Sequence, residues 1–299
     1  MMDSSQNPYP KRDRLLVVGG TGRLGRLLQR AFALSDGGID IVWQRRSGVA
    51  ATDSGVGVEF FDPLSQPQAY RRAAKTADVI LNLAGVTAGT EAELALNTDL
   101  ALAAVAAAGG RLVLLASSAA IYGADAGPLS EDCQARPISP YGRAKHAMER
   151  AALAVAQATG AKVCCLRIGN VAGADALLGG AVPRERRLLD TFATGATPRR
   201  SYIGPSALAR ALQLLVTRAA KSLALPNRLN LALPGTVAMA DLLGAKAEPW
   251  RARAAPVNAI AEVCLDVNRA VALGLVPDAM TDAAAIWADL ATTLKGRPA

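Results

Sequence analysis

The apolar positions of this chain fall in short unbroken runs separated by longer stretches of helical periodicity. Leu15-Leu16-Val17-Val18 is the first run; it breaks at Gly19-Gly20, and a helical stretch follows from about Leu24 to Leu34. Ile39 to Trp43 predicts a second strand, ending at Gln44-Arg45-Arg46-Ser47-Gly48, and Val58 to Phe61 a short third strand running into Asp62-Pro63. A helix near Pro67 to Lys75 leads to the run Val79 to Gly85, and a helix over about Glu91 to Ala108 leads to the strand Leu112 to Ala116. A helix over about 141 to 158 then precedes a strand from Lys162 to Ile168. Unbroken apolar runs, rather than alternating ones, mark strands covered on both faces, and helices between them make those strands parallel. The fold class predicted is α/β: a doubly wound parallel sheet of about six or seven strands with a smaller C-terminal substrate-binding portion. The polar, proline-bearing residues 1–12 are expected to be a flexible leader. Residues 13–170, with a returning segment of about 200–233, are expected to bind nucleotide, and 171–199 with 234–299 to form the smaller portion.

Composition narrows the chemistry. The chain has 299 residues, 51% of them hydrophobic but only 4% aromatic, so the core must be mostly Ala, Leu and Val, which suits helices packed closely on a parallel sheet. Cys133, Cys164, Cys165 and Cys264 show no paired metal-ligand spacing, and the adjacent pair in an apolar run reads as buried strand thiols in a reducing compartment. With His146 the single histidine, a His-rich zinc site or a Ser-His-Asp triad is disfavoured, and no metal is expected. No secretory apolar region and no run long enough to span a bilayer is evident, so the cytoplasm is the default and no membrane partner is expected. The net charge of +8 suits anionic cofactors and nucleotide-linked substrates. The arginines are dispersed and no aromatic-interleaved basic block accompanies them, so nucleic acid is not an expected partner.

Candidate chemistry sits at the strand ends. Gly19, Gly22 and Gly25, with Thr21, Arg23 and Leu24 between them, follow the first strand and open a helix, as a Rossmann-like dinucleotide site requires. Glycine there lets backbone N–H groups approach a pyrophosphate, and the helix N-terminus favours the anion. An NAD-preferring site puts an acid at the end of the second strand to hold the ribose hydroxyls. Gln44 stands at that place, followed by Arg45 and Arg46, which favours a 2′-phosphate and hence NADP over NAD, with NAD left open. Beyond the fifth strand comes Ser117-Ser118-Ala119-Ala120-Ile121-Tyr122-Gly123, and Ser139 to Lys145 opens a helix. Tyr141 and Lys145 are four apart and share a helix face. A neighbouring ammonium favours phenolate, so Tyr141 could take a proton from a substrate alcohol or return it to a carbonyl, with Ser118 bonding the same oxygen. Arg184, Arg186 and Arg187 offer a weaker phosphate candidate on a loop, and His146 reads as an ordinary helix residue.

These motifs together resemble the NAD-dependent epimerase/dehydratase family, the extended branch of the short-chain dehydrogenases/reductases, over nearly the whole chain. The resemblance implies cofactor contacts from Gly19 to Gly25, from Asp62 toward the adenine, and from Leu83, Ala84, Gly85 and Asn97. It implies that Lys145 also holds the nicotinamide ribose, and that Tyr141, Lys145 and Ser118 form the reacting site. Substrate contacts are implied at Ser118, Ala119, Tyr122, Asn170, Arg200 and Arg253, and a homodimer is implied as in many relatives. Ala119 and Ala120 stand where the family's dehydratases carry Asp-Glu, which disfavours sugar dehydration. The expected activity is NAD(P)-dependent hydride transfer at a secondary alcohol or ketone of a sugar or nucleotide-sugar derivative. A nucleotide-sugar epimerase holding NAD tightly, and a non-catalytic NAD(P)-binding sensor, are the alternatives.

Overall fold

The computed structural model describes residues 12–35, 38–46, 57–125, 127–180 and 187–296. In chain order the first half contains β1 (Asp13–Val18), α1 (Arg23–Ala33), β2 (Ile39–Arg45), β3 (Val58–Phe60), α2 (Pro67–Lys75), β4 (Val79–Asn82), α3 (Glu91–Ala108) and β5 (Leu112–Ser118). After a 3-10 turn at Ala119–Ile121 come β6 (Pro128–Leu129), α4 (Pro140–Thr159) and β7 (Val163–Ile168). The second half adds β8 (Asn170–Val171), α5 (Ala176–Gly179), β9 (Leu188–Thr191), β10 (Arg199–Arg200), β11 (Tyr202–Ile203), α6 (Pro205–Ala220) and β12 (Arg228–Leu231). It closes with β13 (Val237–Ala238), α7 (Met239–Gly244), β14 (Arg251–Ala254), β15 (Glu262–Leu265), α8 (Asn268–Ala272) and α9 (Ala283–Lys295).

Seven strands form one sheet in the order β12-β7-β5-β4-β1-β2-β3, and every pair in it is parallel. The fold is therefore the Rossmann-like α/β sheet that the unbroken apolar runs predict. Leu15, Val17, Leu81 and Leu114 face α1 and α6 on one side, while Leu16, Val18, Ile80 and Leu115 face α2, α3 and α4 on the other. Each such Leu or Val, fully removed from water, contributes roughly 1.5–3 kcal/mol. Strand order reverses between β4 and β1, and an open α/β sheet forms its ligand crevice at the carboxyl ends of strands beside such a switch.

Local signals set the element ends that matter for this crevice. α3 starts at a capping box in which Glu93 Oε2 accepts from the Thr90 N–H and the Thr90 hydroxyl accepts from the Glu93 N–H. α4 starts at Ser139, whose hydroxyl accepts from the Gly142 N–H at 3.0 Å, with Pro140 at the first helical position. One boundary differs from the sequence expectation. β5 continues two residues past the apolar run, because Ser117 and Ser118 stay in ladder register with Arg167 and Ile168 of β7. Apart from β12, the short strands of the second half, two to four residues each, form a four-stranded sheet with β6, in the order β13-β10-β15-β6, and the pairs β11-β8 and β14-β9. They are too brief for a periodic signal to reveal.

Candidate active site

A cleft of about 520 Å3 opens over the carboxyl ends of β1, β4, β5 and β7. Gly19, Gly22, Arg23, Leu24 and Gly25 line one wall, Leu83, Gly85 and Asn97 the floor, and Ser118, Tyr141, Lys145 and Asn170 the other end. A smaller recess of about 350 Å3 shares Gly19, Gly22, Leu83 and Gly85 with it and extends past Thr21, Ala84, Gln44, Arg46 and Asp62.

The glycine turn is shaped by close approach. Gly19 has φ of 89°, and a Cβ there would lie 2.5 Å from the Ala84 backbone nitrogen. Gly25 lies against the backbone of Gly20 with no room for a side chain. α1 begins at Gly22, beside the cleft, with no side-chain cap and no acidic residue in its first turn. Such a terminus fits the pyrophosphate of a dinucleotide. Gln44, at 3% exposure, spends both ends of its side-chain amide on the backbone. Its Oε1 accepts from the Gly19 N–H at 3.0 Å, and its Nε2 donates to the Phe61 carbonyl at 2.5 Å.

At the far end, α4 brings Tyr141 and Lys145 under the end of β5. Lys145 is 5% exposed and donates to the Ala116 carbonyl at 2.8 Å, and its Nζ lies 5.8 Å from the centre of the Tyr141 ring. Burial pushes the Lys145 ammonium down to about 8, opposed by the nearby Cys165 and Glu149. Burial raises the Tyr141 phenol above its ordinary value, while a hydrogen bond with the Ser118 hydroxyl pulls the other way. The cleft thus holds a phenol, a hydroxyl and an ammonium in one place, a set able to move a proton to or from a substrate oxygen. Asn97, fully buried, donates to the Val86 and Leu94 carbonyls and accepts from the Val86 N–H, fixing the loop after β4. Asp62 accepts from the backbone N–H groups of Ser65 and Leu64; those bonds, led by that from Ser65, hold its carboxyl below the usual range, and Arg46 adds to the effect.

Several residues singled out from sequence are placed elsewhere. Arg45 is not among the cleft-lining residues, and its Nε is buried without a hydrogen-bond partner. Tyr122 is fully buried, donating to Asn230 Oδ1 at 2.7 Å and accepting from Arg167 Nη1 at 3.0 Å. Ala119, in the 3-10 turn that packs on α4, is partly buried against the core and is not among the cleft-lining residues. Arg200 donates to the carbonyls of Arg199, Ile260 and Ala261, and Arg253 forms an exposed ion pair with Asp190 across the β14-β9 pair. Arg184 and Arg186 lie outside the described residues. His146 is half-buried beside Arg150 and Arg228 in a separate hollow. Sequence reasoning missed Asp175, whose carboxylate lines the cleft, accepts from the Tyr202 hydroxyl at 3.0 Å and is raised by burial. Its signal was an acidic residue in the loop after Asn170, and nothing in its spacing separates it from a plain helix cap, which it also is.

Fold and cleft together define a dinucleotide-binding α/β protein of the short-chain dehydrogenase/reductase type. The chain belongs to the NAD dependent epimerase/dehydratase family, whose pattern matches residues 15–222. A stretch of 183 residues is 30% identical to a UDP-glucose 4-epimerase of Azospirillum brasilense, spanning 54% of this chain and half of that protein. Among solved structures, the UDP-glucose 4-epimerase of Brucella ovis in complex with NAD superposes with a TM-score of 0.75 at 21% identity, over 95% of this chain and 99% of that one. A UDP-glucose 4-epimerase of Stenotrophomonas maltophila, with bound NAD and formylated UDP-arabinopyranose, gives 0.73 at 21% identity, over 95% and 98%. An NAD-dependent NDP-hexosamine 5,6-dehydratase of tunicamycin biosynthesis gives 0.73 at 20% identity, over 95% and 98%. Among the described residues no helix is long and apolar enough to cross a membrane, and no group of His, Cys, Asp and Glu could hold a metal ion.

Proposed function

We propose that the protein is an NAD(P)-dependent oxidoreductase acting at a secondary alcohol or ketone of a sugar or nucleotide-sugar derivative. The observation that carries this reading is the convergence of Ser118, Tyr141 and Lys145 in the same cleft as the glycine turn and the uncapped N-terminus of α1. The dinucleotide supplies the hydride acceptor or donor when bound. Tyr141 moves the hydroxyl proton at its phenolic oxygen, Ser118 orients the substrate oxygen, and Lys145 stabilises the phenolate and faces the ribose side of the cleft. Gly19, Gly22 and Gly25 admit the pyrophosphate, and Asp62, Leu83, Ala84 and Gly85 surround the adenosine end. Residues 13–170 with about 200–233 form the nucleotide-binding part in this reading, and 171–199 with 234–299 the substrate-binding part. The sugar-nucleotide ligands of the related epimerases support the substrate class.

NADP is the proposed cofactor, supported by Arg46 in the adenosine recess and by the lack of a strand-end acid there. The second reading is an epimerase that keeps NAD bound, supported by the NAD found in the similar structures and by Arg45, which is half-buried and is not among the residues lining the recess. A homodimer is supported by the open hollow along α4, lined by Ala147, Ala151, Ala154 and Gln157, and cytoplasmic residence by four free cysteines.

Two measurements test the proposal. Mass spectrometry of nucleotide released on denaturation separates the cofactor readings: stoichiometric NAD selects the epimerase, and an empty protein preferring NADPH selects the exchanging reductase. Tyr141→Phe should lower kcat by about 100- to 10,000-fold while leaving nucleotide affinity intact. Retained turnover in that variant removes the mechanism.

A further inference from the structure

Tyr141 and Lys145 do not complete the buried face of α4. Glu149 follows one turn beyond Lys145, at 1% exposure, and its carboxylate is surrounded by donors. It accepts from the Ser117 hydroxyl at 2.5 Å, from Arg167 Nε at 3.1 Å and from Arg167 Nη2 at 2.8 Å, with Arg228 Nε at 3.9 Å. Ser117 immediately precedes Ser118, and its ladder partner on β7 is Arg167 itself. Lys145 holds the carbonyl of Ala116, so two side chains one turn apart on α4 grip two consecutive residues of β5 just before Ser118. Arg167 then reaches beyond Ser118, donating through Nη1 to the Tyr122 hydroxyl and to the Glu131 carbonyl.

We propose that Glu149 is a positioning residue for the Ser118–Tyr141–Lys145 site: through Ser117 and Arg167 its carboxylate fixes the backbone that carries Ser118, and from one helical turn away on the same buried face its negative charge favours the Lys145 ammonium. This rests on the hydride-transfer reading above. A buried ion pair is a poor way to gain stability, because desolvation offsets most of the attraction. Its worth here is directional, since its hydrogen bonds end on Ser117, next to Ser118, and on Arg167, the ladder partner of Ser117. The electrostatic environment is consistent with this role. Around Lys145 stand Tyr141 and Glu149 from α4, Cys165 from β7 and the Asn97 amide across Gly85. Around Glu149 stand Ser117, Arg167 and Arg228, with His146 beside it on α4 and Glu131 beyond Arg167. Glu149 therefore supplies a negative charge near Lys145 within the buried seam, where Arg167 ties it to the sheet.

The test combines a titration independent of turnover with kinetics. The 13Cε resonance of Lys145, identified by its loss in Lys145→Met, is followed against pH in the full-length protein and in Glu149→Gln. Removing the charge should move the Lys145 titration to lower pH by about one pH unit. Ser117→Ala keeps the ion pair and deletes one hydrogen bond, so it stays informative if Glu149→Gln fails to fold. It should lower kcat about tenfold with KM and nucleotide Kd within about twofold. An unmoved Lys145 titration in folded Glu149→Gln, or a wild-type kcat in Ser117→Ala, overturns the proposal. If turnover proves independent of Tyr141, the hydride-transfer reading fails instead, and the Lys145 titration still decides whether Glu149 acts on it.

Discussion

Gln44 and Gly19 are joined across the open end of the sheet, the Gln44 Oε1 accepting from the Gly19 N–H at 3.0 Å while its amide nitrogen reaches the Phe61 carbonyl. One side chain thus ties the glycine turn after β1 to the residue that follows β3. Gln44→Leu keeps the volume but leaves the Gly19 N–H and the Phe61 carbonyl unpaired, at a cost of about 1–3 kcal/mol. The expected result is a lower Tm together with dinucleotide affinity weakened about tenfold by the loosened turn. Calorimetric titration with unchanged Kd and Tm would show that the turn holds its shape without this brace.

Arg45 and Arg46 are predicted to behave differently. Of the two, Arg46 alone lines the smaller recess beside Asp62, whereas Arg45 is partly buried at the end of β2 and is not among its lining residues. Arg46→Ala should weaken NADPH binding about tenfold, the worth of one charge-assisted hydrogen bond, and leave NADH within about twofold. Arg45→Ala should leave the ratio of the two affinities unchanged. The reverse pattern in fluorescence titrations would transfer the phosphate contact to Arg45.

That pair shows where sequence reading reached its limit. The parallel sheet, the glycine turn, and the Tyr141–Lys145 spacing were legible because each depends on residues within a few positions of one another. The strand-end chemistry at Gln44 was not, because its role depends on a backbone group 25 residues away and on which face of β2 it occupies. Tyr122 was misplaced for the same reason: its hydroxyl is satisfied by Asn230, 108 residues further on, and so it is buried in the core instead of the substrate cleft. Arg200 and Arg253 matched by local pattern, yet the Arg200 guanidinium is held by carbonyls of the loop before β15, and the partner of Arg253 comes from a strand too short to be seen in sequence.

Gly19 gives a sharper test of the nucleotide site. Its positive φ alone costs a substituted residue roughly 1–2 kcal/mol, and the added Cβ meets the backbone of Ala84 as well. Gly19→Ala should therefore abolish measurable dinucleotide binding and lower stability by about 2 kcal/mol or more. Gly38→Ala is the control, since a Cβ there meets nothing within 4 Å; it should stay within about 0.5 kcal/mol of wild type. Equal effects of the two substitutions would mean that the glycine turn is not the constrained element.

The pH profile follows from the two shifted groups in the cleft. Burial raises Tyr141, so at neutral pH it carries its proton and is ready to deliver it to a carbonyl. Burial lowers Lys145 to about 8, so its ammonium is present below that pH and is lost as the pH rises through it. Without the ammonium the phenol becomes a weaker acid, because phenolate left after proton delivery has lost its stabilising charge. Ketone reduction should thus be level between about pH 6 and 7 and fall above about pH 8, approaching tenfold per pH unit. Alcohol oxidation, which needs the phenolate, should be slow at pH 7 and climb on the alkaline side. In Lys145→Met the break near pH 8 should disappear from an already low reduction rate. A wild-type reduction rate that holds steady through pH 9.5 would mean that Lys145 does not control the acidity of Tyr141.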